Sequence, residues 1–397
     1  MVRHKRMGLP LKGLRVVDLT KDFAGPFCTM ILSDLGAEVV KVEKPGLGDE
    51  TRSWGPPFVG GESCYFLSLN RGKKSIVLDL KKRDAQKAVQ RLVADSDILV
   101  ESFKPGSLKK LGLNYQSLRR RNKALVYCSI SGFGQTGPYR DFPGYDLVAF
   151  AMSGIMSTTG EEGRPPVRVS VPVADIAAGH YAAIGILAAL SRRLVTGRGD
   201  YVDVSLLDSI VSWLTYNAAF FFATGKQPER LGSAHPSIVP YQAFSCRDGS
   251  LVVAVGNDEQ WKALCTAMGQ DKFLGDKRFS TNPLRVRNRK MLVPPLSRMF
   301  RKRTVQQWLT VLRKHSVPCA QVYDVSRVVK DPQLTPRKMI IRARNGLLQL
   351  GSPIKFSSPN LPSRLAPSLG QDSDRILSGL GYSSHDIERL RERKVFG

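Results

Sequence analysis

Residues 14–43 read LRVVDLTKDFAGPFCTMILSDLGAEVVKVE, and the order of textures along them decides the fold. Leu14 to Leu19 is a short run rich in β-branched residues, the pattern of a strand. A Gly25-Pro26 turn follows, then an apolar helical stretch from Phe27 to Leu35, closed by Gly36 in the manner usual for helix C-termini. Glu38 to Glu43 (EVVKVE) is strand-like again. Strand, helix and strand in this order form a βαβ unit, so the two strands are expected to be parallel and the crossover right-handed.

The theme repeats outward from this unit. Ser75 to Leu80 reads as a strand, Asp84 to Ala94 as a helix and Ile98 to Glu101 as a strand. Leu125 to Ile130 is one more strand and ends in the Gly-rich turn Ser131-Gly132-Phe133-Gly134. Such alternation predicts an α/β fold with a doubly wound, Rossmann-like sheet, whose ligands bind beyond the carboxyl ends of the strands. A small-residue helix is expected from just after Asp175 to about Leu194, then a strand over Tyr201 to Ser205 and an apolar helix from Leu206 to Ala223. From about Ser237 the texture changes to a β-hairpin (Tyr241 to Ser245, Leu251 to Val255) and helices such as Asp258 to Met268 and Val305 to Lys314, a smaller α+β domain. The tail from Asp372 to Arg393 is helical again. The expected division is therefore 1–224 for the large domain, 225–335 for the small one, and 336–397 returning to the first.

A chain of 397 residues is long enough for two domains, and 42% hydrophobic residues fill an ordinary core. The formal net charge of +26 invites a nucleic-acid reading. The basic residues, however, are scattered in small groups such as Arg119-Arg120-Arg121 and Arg301-Lys302-Arg303, without interleaved aromatics or a zinc-finger signature. An anionic small substrate, or the electrolyte conditions of the source organism, explains the charge more simply than a nucleic acid. The six cysteines lie far apart with no C-x-x-C pair, and the five histidines show no metal-ligand spacing. A reduced, intracellular protein without a structural metal or a permanently bound cofactor is expected. Ile176 to Leu190, the longest apolar stretch, is interrupted by His180 and falls short of the ~18 residues that span a bilayer, so no membrane segment is expected. Met1 to Lys12 is basic but lacks the apolar core of a signal peptide. A cytoplasmic location is expected, with the mitochondrial matrix as the alternative.

Three features carry possible chemistry. The loop Lys21-Asp22-Phe23-Ala24-Gly25-Pro26 lies between a strand and a helix start, where free N–H groups and the helix dipole favour an anion; it lacks the spacing of the dinucleotide fingerprint and of the P-loop, and on its own reads more readily as a plain connection. The loop Ser131 to Tyr139 contains glycines that let a ligand approach the backbone, or it is an ordinary long loop. Asp175 stands alone in VPVADIAAGH, just before the long helix. It is either an N-cap, worth ~1 kcal/mol, or a working carboxylate. The two roles are compatible, because the dipole that rewards a cap also favours the ionised form. His235 is a lone histidine, and no Ser-His-Asp arrangement follows from the spacing.

Taken in order, these stretches resemble the class III CoA-transferases, the formyl-CoA transferase-like family. The resemblance is carried by Asp18-Leu19-Thr20, Ala24-Gly25-Pro26, Asp34 to Glu43, Gly48-Asp49-Glu50-Thr51-Arg52 and Asn70 to Ile76. It continues through Val100 to Gly106, Gly132 to Tyr139, Gly185 to Leu190, Thr196 to Gly199 and His235 to Tyr241. It implies that Asp175 is the nucleophile, attacking the thioester of an acyl-CoA to give an acyl-aspartyl anhydride, with CoA ending on a carboxylic acid acceptor. The family's CoA contacts fall on Phe23 and Ala24, Lys44, Leu78 to Lys81, Ser102-Phe103-Lys104, Lys110, and Tyr145 in the turn Gly144-Tyr145-Asp146. Some members have Asn in place of Ser102 and Arg in place of Lys44 and Lys110; lysine keeps the charge for CoA phosphates but loses bidentate geometry.

The resemblance also implies an interlocked, ring-like homodimer, with acyl-CoA and a carboxylic acid as the other partners and the CoA thioester as substrate. Succinyl-CoA is the expected donor and a dicarboxylic acid the expected acceptor, with Arg52 and the loop Gly232 to His235 as candidate acceptor contacts. A sister branch, the α-methylacyl-CoA racemases, uses a His-Asp pair in the turn that here reads Gly144-Tyr145-Asp146. Tyr145 takes the histidine's place, and a phenol with pKa ~10 is poorly suited to removing an α-proton. Racemase activity and non-catalytic nucleic-acid binding remain the alternatives to CoA transfer.

Overall fold

Six strands pair into one sheet: β1 (Arg15–Leu19), β2 (Glu38–Glu43), β3 (Lys74–Val77), β4 (Ile98–Glu101), β5 (Val126–Ser131) and β6 (Tyr201–Ser205). The structure, a computed structural model, describes residues 8–343, 345–357 and 364–396. The strand order is β3-β2-β1-β4-β5-β6 with every pairing parallel. This is the doubly wound order that reverses direction between β1 and β4. Val16, Val17, Val39, Val40, Ile98, Leu99, Val100 and Val126 are all buried. Burial of both sheet faces explains why these strands are continuous apolar runs.

Two charged residues break those runs, and they organise the loop above the sheet. Asp18 on β1 stands in register with Lys41 on β2, and both are wholly buried. Lys41 pairs with Asp49 at 2.8 Å and donates to the Thr20 carbonyl at 2.8 Å. Lys73 pairs with Asp18 at 3.0 Å and donates to the Pro26 carbonyl and to Asn70. Asp18 also accepts from the Thr20 N–H and the Thr29 hydroxyl. The loop from Thr20 to Pro26 is thus fastened from below by buried charges, each paired and hydrogen-bonded as burial requires.

Helix α1 spans Ala24–Asp34, so Gly25-Pro26 is part of its first turn rather than a turn ahead of it. Proline is tolerated there because the N–H it lacks would have no partner in the helix. Helix α2 (Arg83–Ala94) covers the sheet with Ala85, Val89, Leu92 and Val93. After α3 (Asp146–Met152), α4 runs from Val173 to Thr196 and ends on Gly197 in the left-handed conformation. Its Gly179 lies directly on α1: a Cβ there would sit 2.8 Å from the Ala24 carbonyl. The expected single helix from Leu206 is two, Leu206–Val211 and Tyr216–Thr224, broken at Thr215, whose φ is 42°.

α4 is long and apolar enough by composition to cross a membrane, with mean hydropathy 1.6 over its best window. Half of that window is buried inside the protein, as in the core helix of a globular domain.

The chain divides into two compact units. The first holds the residues up to Ile155, Arg168–Ala218 and the chain from Gln333 onward; the second holds Met156–Val167 and Ala219–Pro332. The division therefore falls at 219 and 333, not 225 and 336, and residues 156–167 go with the second unit. The C-terminal part closes the β3 edge. Ser75 N–H donates to Asp372, Val77 N–H donates to Ser373, and Leu377, Ile387 and Leu390 join the core of α2. The tail is two helices, Ser373–Gly379 and Ser384–Glu392. The second unit carries its own antiparallel sheet of Tyr241–Ser245, Ser250–Ala254 and Cys319–Gln321. Its core holds Trp261, Leu264, Phe300, Trp308 and Leu312. The Pro-rich stretch Pro353 to Pro367 lies partly outside the described residues.

Candidate active site

The reversal of strand order leaves the carboxyl ends of β1 and β4 side by side, with no crossover covering them. Thr20 to Gly25 leave β1, and Ser102 to Lys104 leave β4. The two loops touch: the Lys21 N–H donates to the Ser102 hydroxyl at 3.1 Å. A cavity opens on each side of this contact, and Lys21 and Ser102 line both.

The first cavity, about 490 Å³, has an apolar wall of Leu19, Val42, Leu78, Leu80, Phe103 and Leu111. Lys21, Lys44, Lys81 and Lys104 also line it. Six of the residues expected to contact CoA are therefore placed together: Lys44, Leu78, Lys81, Ser102, Phe103 and Lys104. An apolar slot edged by lysines fits a flat base carrying phosphates. Lys110 is exposed at the end of a short 3-10 turn and lines neither cavity.

The second cavity, about 420 Å³, brings together Phe23, Ala24, Tyr145 and Asp175, joined by Asp22, Trp54, Tyr65, Asp146 and Arg168. Its back wall needs two glycines at one point. A Cβ on Gly132 would lie 2.7 Å from the Gly144 Cα, and one on Gly144 would lie 2.5 Å from the Gly132 Cα. The loop after β5 and the turn before α3 can approach only because neither carries a side chain. Tyr65 is held edge-on by Trp54 at 4.9 Å and by Phe23 at 5.9 Å between ring centres.

Asp175 is not the cap of α4. It lies in the first turn of the helix, whose N-cap residue is Pro172. The capping carboxylate comes from Asp146, which accepts the Ala174 N–H at 2.8 Å and the Asp175 N–H at 3.4 Å. The helix end is satisfied from outside, and the Asp175 carboxylate is left for the cavity. It is also not held ionised as the dipole argument anticipates. Burial pushes its pKa up to about 8, and the neighbouring Asp146 and Asp22 push the same way. Asp146 and Asp22 are themselves raised, in each case chiefly by burial. Burial and the charges of Asp175 and Asp146 raise the Tyr65 phenol to about 12, so it stays protonated. Among the described residues no three His, Cys, Asp or Glu side chains are gathered as metal ligands, these acids included.

Two expected acceptor contacts lie elsewhere. Arg52 is consumed inside the fold: it binds Glu43 through two bonds of 2.8 Å, reaches Glu62 at 2.9 Å, and lies over the Phe66 ring. His235 belongs to the second unit, where its Nδ1 accepts the Ser237 N–H. The residues that sequence reading missed are Trp54, Tyr65 and Arg168, with Asp22 and Asp146 noticed only as parts of a loop and a turn. They come from loops and helix starts in separate parts of the chain, Tyr65 from the helix Cys64–Leu69 and Asp146 from α3, and no local pattern joins them.

The match to known proteins covers nearly the whole chain. The profile of CoA-transferase family III matches residues 11–373. The succinyl-CoA:glutarate CoA-transferase of Mus musculus is 42% identical over 96% of this chain and 89% of its own length. The succinate–glutarate CoA-transferase of Agrobacterium fabrum is 41% identical over 94% of this chain and 96% of its own. Among solved structures, a CAIB/BAIF family protein from Brucella suis is 42% identical and superposes with a TM-score of 0.86, covering 94% of this chain and all of that one. With a parallel sheet that reverses at two lysine- and carboxylate-lined cavities, and with relatives alike from end to end, this chain belongs to CoA-transferase family III.

Proposed function

We propose that the protein moves CoA from succinyl-CoA to a dicarboxylic acid through an acyl-aspartyl anhydride on Asp175. The observation that carries this reading is the Asp175 carboxylate itself. It is freed from capping by Asp146 and lines a cavity that shares Lys21 and Ser102 with the lysine-edged slot. The slot takes the nucleotide end of CoA, and the thioester reaches across Ser102 towards Asp175.

A carboxylate oxygen of Asp175 attacks the thioester carbonyl, the C–S bond breaks, and CoA leaves as thiolate. The acceptor carboxylate then attacks the aspartyl carbonyl and displaces the first acid. The thiolate attacks the acceptor's acyl carbonyl, forming the new thioester and restoring Asp175. Thioester and anhydride are both activated, so the bond energy is kept, provided water is excluded. A raised pKa serves this chemistry. The desolvated carboxylate is a better nucleophile than a solvated one, and acylation removes one negative charge from beside Asp146 and Asp22. Tyr65, protonated throughout, is a donor for the developing oxyanion. Relatives named for succinate and glutarate support the choice of substrates. The pocket has Tyr145 where a racemase needs a base, which supports transfer over racemisation.

Ile184, Leu194 and Val195 on α4 are 60%, 88% and 88% exposed in the single chain, which supports a homodimer as the working form. Light scattering on the purified protein tests it; a monomer at micromolar concentration refutes it.

Asp175→Ala is expected to abolish transfer from succinyl-CoA while the circular dichroism spectrum stays that of the wild type. Hydroxylamine added after acyl-CoA is expected to trap a hydroxamate at Asp175, seen by peptide mass spectrometry. Retention of more than a few per cent of activity by Asp175→Ala refutes the nucleophile. Rapid exchange of the α-proton of a 2-methylacyl-CoA into deuterated water restores the racemase reading.

A further inference from the structure

We infer that Arg168 selects dicarboxylic acids by receiving the carboxylate that does not react. The inference rests on the assignment of Asp175 as the acyl carrier.

An acid that reaches Asp175 enters a cavity lined by three acids, Asp22, Asp146 and Asp175. A second carboxylate on the same molecule is repelled there unless a cation meets it. Two cations line the cavity, Lys21 and Arg168. Lys21 is engaged, 3.1 Å from Glu50 and 3.9 Å from Asp22. Arg168 is different. Among the described residues its guanidinium donates only to the carbonyls of Val169 at 3.1 Å and Ser170 at 3.3 Å. Among the described residues no carboxylate lies within ion-pair distance of it. Its charge is felt at Asp146, which caps the helix bearing Asp175. A guanidinium with weak local bonds, facing an acid-lined cavity, fits a bidentate carboxylate.

The chemistry of the exchange favours one fixed cation. The donor's succinyl group and the acceptor each carry one reacting and one spectator carboxylate. Both are joined in turn to the same aspartyl carbonyl, so both spectator groups fall in the same region. One arginine therefore serves both half-reactions. It also gives the five-carbon diacid an advantage over the five-carbon monoacid that has methyl in place of the second carboxylate.

The test compares glutarate with valerate as acceptors, using succinyl-CoA as donor in both arms so that any effect on the donor cancels. The wild type is expected to prefer glutarate. Arg168→Gln is expected to lower the glutarate-to-valerate ratio of kcat/KM ~10- to 100-fold, the range for losing a charged hydrogen bond, chiefly through the KM for glutarate, while any loss in the succinyl-CoA half-reaction falls equally on both acceptors. Arg168→Lys is expected to recover part of the loss. The side chain is exposed and bonds only to adjacent carbonyls, so its removal leaves the fold intact. A glutarate-to-valerate ratio unchanged in Arg168→Gln overturns the inference, as does a wild type without preference. Hydroxamate trapping in Arg168→Gln separates the two assignments. Trapped hydroxamate with an unchanged ratio removes the role of Arg168 alone. No hydroxamate from the wild type removes the Asp175 assignment and this inference with it.

Discussion

Asp146 and Asp175 divide the work at the start of α4: one carboxylate satisfies the helix amides and the other is left free. In the proposed mechanism only the ionised form of Asp175 attacks the thioester, so kcat/KM for acyl-CoA is expected to rise with pH through a midpoint near the raised pKa of about 8. Asp146→Asn removes a negative neighbour while keeping an oxygen for the amides. Its pH profile is expected to move to lower pH, whereas Asp146→Ala also loses the cap and ~1 kcal/mol of stability. The same shift has a stability consequence. With its folded pKa above the ordinary 3.8, the Asp175 carboxyl supports folding fully below pH 4, and that support is lost as pH rises towards 8. Asp175→Asn is therefore expected to melt higher than the wild type above pH 8 and no differently near pH 4, as calorimetry across pH measures. In the sequence, Asp175 is conspicuous as a lone acid among apolar neighbours. Its protonation state is not legible there, because it is set by burial and by Asp22 and Asp146, which are remote in the chain.

At the scale of elements, the site depends on how closely α1 and α4 approach and on the charges buried beneath the β1 loop. Gly179→Ala places a methyl 2.8 Å from the Ala24 carbonyl. The helices must part, at an expected loss of ~1–3 kcal/mol and with reduced activity, since Ala24 and Asp175 line the same cavity. Lys41→Met leaves Asp49 as a buried charge without its cation, expected to cost ~3–5 kcal/mol. Lys44→Met breaks only an exposed contact with Glu50 at 3.8 Å and is expected to cost less than ~1 kcal/mol. Urea titrations of the two variants measure the difference. Strand identities are legible from local texture, and Glu38–Glu43 and Ile98–Glu101 fall where the pattern places them. The helix over Leu206 to Ala223 is misread, because apolar composition continues through Thr215 while the backbone turns there.

For the whole molecule, the net charge of +26 acts as a field on an anionic substrate. The KM for acyl-CoA is expected to rise with added salt up to about 0.3 M, where screening acts over less than ~8 Å. Replacing Lys44, Lys81 or Lys104 by Ala is expected to raise that KM and flatten its salt dependence with little effect on kcat, as steady-state kinetics over a salt series would read. Alternation of texture by itself determined that the chain is a parallel α/β protein and pointed to the carboxyl ends of the strands, where the two cavities lie. Helix and strand periods, glycine stops and β-branched runs are properties of neighbouring residues. Which acid caps and which faces the cavity, which arginine is spent on Glu43 and Glu62 and which has no carboxylate partner among the described residues, was decided only by the tertiary structure. Those outcomes turn on burial and on Coulomb energies between groups that are distant in the chain and near in space.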